Sequence, residues 1–269
     1  MRTHCENCAT PLSGGYCSVC GQSSTDYNVP VGAFAKELVS ESFDLDSRLR
    51  QTLGPLLTRP GAVPRDYVTG HRARFMPPIR LYLLASFAMF LLMSLTGTFS
   101  LDPDAPEEAA ELTVDLGPGG EEAANRIETR LTEGLAQAVQ DREAFGQELV
   151  GHMAKAMFFL LPAFALLLKL LYWRRLYVHH LVFAIYLHSF AFLLMAVVMI
   201  PEALGFTRVA TVADVGMLWA PVYLYLGMRR FYQDSRLKTF LKFVVLSLAY
   251  MILGVFALAS VFVVSLLTP

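Results

Sequence analysis

The sequence predicts an all-α polytopic membrane protein with about five transmembrane helices and a small four-cysteine metal module at its N-terminus. Three observations carry that expectation. Of 269 residues, 55% are hydrophobic and only 17% charged, an apolar excess over the roughly 45–50% of soluble domains. Five stretches approach the roughly 20 apolar residues that a helix needs to cross a bilayer core. All four cysteines fall within the first 20 residues, in two Cys-x-x-Cys pairs.

Residues 1–24 are expected to form a cytoplasmic zinc ribbon. Cys5-Glu6-Asn7-Cys8 and Cys17-Ser18-Val19-Cys20-Gly21 are two knuckles separated by eight residues, and four thiolates brought together close a tetrahedral site. Gly14, Gly15 and Gly21 allow tight turns, the last letting backbone amides approach the sulfurs. So short a segment has no apolar core, so the metal would supply most of its folding free energy. Zinc is the expected occupant, with iron in a rubredoxin-like site second. Disulfides are not expected in a reducing compartment. A closed set of four sulfurs leaves no open coordination position, which points to a structural module presenting a surface to a partner.

Residues 25–78 read as an amphipathic cytoplasmic helix followed by a basic juxtamembrane segment. Phe34, Leu38, Leu45, Leu49, Leu53 and Leu56 recur at helical spacing, and Pro60-Gly61 is expected to end the helix. Arg65, Arg72, Arg74 and Arg80 follow; beside a bilayer each would attract anionic lipid by about 1 kcal/mol. Residues 1–30 lack the continuous apolar region of a cleavable signal peptide, so the first apolar helix is expected to direct insertion.

The expected spans are Ile79–Phe99, Ala154–Trp173, Leu181–Ile200, Val209–Met228 and Phe243–Leu267, the last four making a helical region over residues 154–269. Lys and Arg are retained on the cytoplasmic side of short loops. With the N-terminus inside, 17 of the 22 basic residues fall on cytoplasmic segments or their borders, and five spans put the C-terminus outside. Residues 100–153 then form an exported loop. Between Leu101 and Val150 it carries 13 acidic residues against three arginines, and Ile127, Leu131, Leu135, Ala138, Phe145 and Leu149 give it a helical apolar face. That face is expected to fold onto the chain's own helices, with heptad-like self-association as the alternative.

Ionisable groups inside spans are expensive and mark candidate sites. His188 lies near the middle of the third expected span, His180 at its cytoplasmic border, and Asp214 near the outer end of the fourth. They are the candidate intramembrane polar site, weighed against histidines that hydrogen-bond a neighbouring helix. Pro162 and Pro221 lie inside the second and fourth expected spans, where each would remove a backbone bond. Lys169, near the inner end of its helix, is expected to reach the headgroups.

Several strings together resemble one family. They are Tyr16 to Gln22, Leu45-Asp46-Ser47-Arg48-Leu49, Leu56-Leu57 to Pro60-Gly61, Tyr67 to Arg72, and Pro78 to Tyr82. Leu161-Pro162 to Leu171-Tyr172 and His180-Leu181-Val182-Phe183 to His188-Ser189-Phe190 continue the likeness. The chain resembles an uncharacterised bacterial inner-membrane family, a domain of unknown function, over most of its length except residues 101–150. The resemblance implies a multi-pass protein of the inner membrane with a metal-binding N-terminus, and it implies no reaction.

No Gly-rich phosphate loop, Ser nucleophile motif or His-Glu-x-x-His is present, and the basic patches lack the interleaved aromatics of a nucleic-acid surface. The leading expectation is a non-enzymatic interaction, assembly or regulatory protein with a structural zinc module that docks a cytoplasmic protein. The second is a transporter or channel component using His188 and Asp214, for which homo-oligomers would be needed because five spans are few. The third is an intramembrane metal or haem enzyme using His180 and His188.

Overall fold

The fold is that of a computed structural model. It describes residues 3–22, 24, 46–96, 129–132, 134–136, 138, 140, 142–204, 206 and 216–267. The helices named among the described residues are α1 (Asp46–Thr58), α2 (Ala62–Val68), α3 (Pro78–Thr96), α4 (Arg142–Leu171), α5 (Tyr177–Ala203), a 3-10 turn (Gly216–Leu218), α6 (Trp219–Tyr232) and α7 (Arg236–Leu267). Phe34, Leu38, Leu45, Ile127 and Asp214 lie outside the described residues. No β-strand occurs among the described residues, which carry only isolated bridges, one of them between His4 and Pro11. The chain divides into two compact units, Met1–Met89 with Leu161–Tyr250, and Phe90–Leu160 with Met251–Pro269.

Among the described residues, four helices are long and apolar enough to cross a membrane: Pro78–Leu95, Phe145–Leu171, Tyr177–Pro201 and Arg236–Leu267. Their outward faces keep large apolar residues exposed, among them Phe87, Phe159, Leu170, Leu241 and Phe256. Faces of that kind suit lipid rather than water. The fourth expected span, Val209–Met228, is not among the four. Residues 209–215 lie outside the described residues, and residues 216–232 form a three-residue 3-10 turn and the 14-residue α6. Pro221 sits in the first turn of α6, where its missing N–H removes no helical bond and causes no kink.

Within the first unit, α5 is the central helix: 56% of its apolar stretch is buried, against 33% or less in the other three long helices. The 3-10 turn and α6 run back along it. Gly216 lies by Val198, Tyr223 stacks on Phe190 at 3.5 Å, Gly227 meets Phe183, and Tyr232 stands beside His180. On another side α1 and α2 pack into the same cluster, where Leu56, Val63, Tyr67, Phe75 and Met76 meet Val182, Tyr186 and Tyr223. The tyrosine hydroxyls are satisfied by loop and helix-end carbonyls. Tyr186 donates to Met76 O at 2.8 Å and Tyr223 to Leu56 O at 2.5 Å.

Pro60-Gly61 ends α1 as expected, because Gly61 adopts φ 74, a left-handed conformation that costs other residues roughly 1–2 kcal/mol. The turn also brings two backbones together. A Cβ on Gly61 would stand 2.5 Å from Gly227 O, so only glycine lets α2 begin against α6. Arg230 closes the contact by donating to Pro60 O at 2.9 Å. Lys169 turns its ammonium towards the end of α4, where it bonds Trp173 O and Arg175 O, carbonyls of the turn into α5, at 2.5 and 2.6 Å.

In the second unit, part of the apolar face expected over residues 127–149 is used, while Leu135 stays exposed. Leu131, Ala138 and Phe145 cluster with Leu266 near the end of α7, and Phe145 meets Phe262 edge-on at 6.1 Å. His152 Nδ1 lies 2.9 Å from Ser265 Oγ. The segment thus folds onto the chain's own last helix, with Gly134 against Leu266 O.

Candidate metal centre

The two knuckles have the same local geometry. Cys5 N donates to Thr10 O and Ala9 N to Cys5 O, each at 2.8 Å; twelve residues later Cys17 N donates to Gln22 O at 2.8 Å and Gly21 N to Cys17 O at 2.9 Å. The equivalent residues Ala9 and Gly21 both have positive φ, 58 and 69. Gly21 therefore does the turning expected of it, while Ala9 holds the same conformation with a Cβ. The bridge between His4 and Pro11 and the bond from Leu12 N to Thr3 O close the first loop.

These turns aim all four sulfurs at one point. The Sγ atoms lie within 4.8 Å of one another, with Cys5–Cys20 and Cys8–Cys17 at 3.5 Å and Cys8–Cys20 at 3.6 Å. A zinc ion bonded to four sulfurs at about 2.3 Å has tetrahedron edges of about 3.8 Å, so the residues fit such an ion. All four are free thiols, Cys5 and Cys17 buried and the other two nearer the surface. Thr10, whose hydroxyl lies 3.3 Å from Cys8 Sγ, is the main cause holding that thiol down to about 6, whereas burial pushes the Cys20 thiol up to about 11. Among the described residues, no other group of three or more His, Cys, Asp or Glu side chains could hold a metal ion.

The ribbon is seated on the loop between α2 and α3. Gln22, 8% exposed, donates from Nε2 to Gly70 O at 2.7 Å and accepts at Oε1 from Arg72 N and Ala73 N, both at 3.1 Å. Glu6, inside the first knuckle, pairs with Arg72 at 3.4 Å, and Arg72 Nε donates to Tyr67 O. Gly70 has φ 103, and a Cβ there would collide with the Glu6 carboxylate. The sequence marks Gln22 as the end of a motif but assigns it no task. A glutamine after a knuckle looks like any surface polar residue until its partners, about 50 positions away, are known.

The histidines are placed apart, each with its own tyrosine. His180 Nδ1 lies 2.7 Å from Tyr232 Oη, which stacks on Tyr172 at 3.6 Å. Lys242 stands 3.7 Å over the Tyr172 ring and pairs with Asp234 at 2.7 Å. His188 Nδ1 donates to Ala184 O at 2.8 Å, leaving Nε2 to accept the Tyr250 hydroxyl at 2.8 Å. Eight residues of helix separate the two histidines by about 12 Å, too far to share one ion. Asp214 lies outside the described residues.

Residues 46–90 are similar to the DUF3667 family, described as a protein of unknown function. The match covers α1, α2 and most of α3, including the loop that receives Gln22. No curated protein and no solved structure matches the chain.

Proposed function

We propose that this chain is a non-enzymatic protein of a bacterial inner membrane, with an interaction, assembly or regulatory role, whose N-terminal ribbon holds one structural zinc ion and engages a cytoplasmic protein. One observation carries the reading: four converging cysteine sulfurs complete a tetrahedral set, and a metal with four protein ligands has no position left for substrate. On the ribbon Tyr16 and Val19 are exposed, at 68% and 70%, and these are the residues that would meet the partner. The test is a pair of detergent preparations, wild type and a variant with all four cysteines changed to serine, measured for element content and co-purifying proteins. The expected result is one zinc per chain and a partner set, both lost in the variant. Identical partner sets from the two would overturn the interaction role, and iron in place of zinc would change the metal.

Five crossings, N-terminus inside, remain the best reading of the topology. The course of the 3-10 turn and α6 from Val198 back to His180 supports a return crossing made by a broken segment rather than one long helix. Arg229, Arg230, Arg236, Lys238 and Lys242 then gather on the cytoplasmic side. A reporter active only outside the inner membrane, fused after Pro269, is expected to be active; a cytoplasmic C-terminus would remove the crossing assigned to α6.

A further inference from the structure

We infer that the ribbon is a metal-dependent clasp on the loop that leads into α3, so that metal occupancy governs the order of residues 70–76; this rests on the metal reading above. The contact is divided between the two knuckles. Glu6 comes from within the first and Gln22 directly follows the second, yet both converge on Gly70–Ala73. Neither knuckle reaches that loop correctly unless the other is beside it, and the four sulfurs are what bring them together. Gln22 is tied to the second knuckle through its own carbonyl, which accepts from Cys17 N at 2.8 Å. Its side chain therefore has a fixed origin only when that knuckle is closed.

The loop has the form of a part meant to be held. It contains no helix of its own, and Gly70 adopts φ 103. Gln22 gives it three hydrogen bonds at a buried position, replacing the water that the amides of Arg72 and Ala73 would otherwise need. A few residues on, Met76 N donates to Thr52 Oγ1 at 2.8 Å and Met76 O accepts from Tyr186. One short strap thus joins the ribbon to α1 and to the central helix. An empty ribbon, with no core of its own, would release Gln22 and Glu6 from residues 70–73 and leave the strap with its bonds to α2, Arg72 Nε to Tyr67 O and Arg74 to Asp66, and its anchor at Met76. A chelator would loosen residues 70–73 by that route.

Amide hydrogen exchange on the full-length protein in detergent micelles reads this directly, in peptides covering residues 70–76, with zinc content measured on the same samples. Metal-loaded wild type is expected to protect the Arg72 and Ala73 amides, and stripping the metal to speed their exchange by about tenfold or more. Gln22→Ala is expected to keep its zinc and still show the fast exchange, and Glu6→Ala to show a smaller increase. Stripped protein, or zinc-loaded Gln22→Ala, with protection equal to wild type overturns the clasp while leaving the metal site standing. Wild type that holds no zinc, reloaded or as purified, overturns the reading beneath it.

Discussion

Gly61→Ala is expected to destabilise the protein by about 3 kcal/mol or more, and Gly227→Ala, on the facing backbone, to cost almost nothing. The asymmetry arises from the contact. At Gly61 a methyl group meets Gly227 O at 2.5 Å and Gly227 Cα at 2.9 Å, both backbone atoms that no rotamer change can move aside. Left-handed φ adds roughly 1–2 kcal/mol, and overpacking typically adds about 1–3 kcal/mol. Relief would require α2 to part from α6, opening the cluster around Tyr67, Tyr186 and Tyr223. At Gly227 the nearest atoms are 3.6 Å away, an ordinary contact, and alanine is favoured over glycine inside a helix by up to about 1 kcal/mol. Thermal unfolding in one detergent checks the pair. A midpoint drop of about 10 °C for the first and little change for the second is the expected pattern. Equal drops would mean that the two backbones do not meet as described.

Acidification is expected to empty the metal site, with affinity falling at least about 10⁴-fold between about pH 8 and about pH 5. The sign is set by the form of the ligands that the metal binds. They are thiolates, so the bound state keeps every cysteine deprotonated, and stabilisation is present at high pH and lost as pH falls. Without metal, partial burial together with the neighbouring thiols pushes Cys20 up to about 11, so its proton must leave at any working pH. That alone costs about a factor of ten per pH unit. Below about 6 Cys8 is protonated as well, once the hydrogen bonding of Thr10 no longer suffices to keep it ionised, and the dependence steepens to at least about a hundredfold per unit. Competition against a chromophoric chelator at a series of pH values measures it. A flat profile would show that sulfur is not the ligand.

The division between what sequence and fold each contribute is visible at particular residues. Cysteine spacing and apolar run length were legible because both are local. Each Cys-x-x-Cys turn carries its own geometry wherever it is placed, and a helix long enough to cross a bilayer is recognised by composition and length alone. The break at Pro60-Gly61 and the apolar face through Leu131, Ala138 and Phe145 were legible for the same reason, since turn chemistry and helical period belong to the segment itself. Of the reading of residues 209–228 as one apolar helix, residues 209–215 lie outside the described residues, and the remainder is a 3-10 turn leading into α6, which runs on to Tyr232. Only the tertiary structure decided that His188 answers to Tyr250 and His180 to Tyr232, at separations of 62 and 52 residues. It alone seated Gln22 on a loop 48 residues away and made Gly61 irreplaceable by bringing Gly227 against it. A hydrogen bond or close approach between distant residues depends on how helices are stacked, and stacking is set by the summed fit of many side chains, which no single stretch of sequence contains.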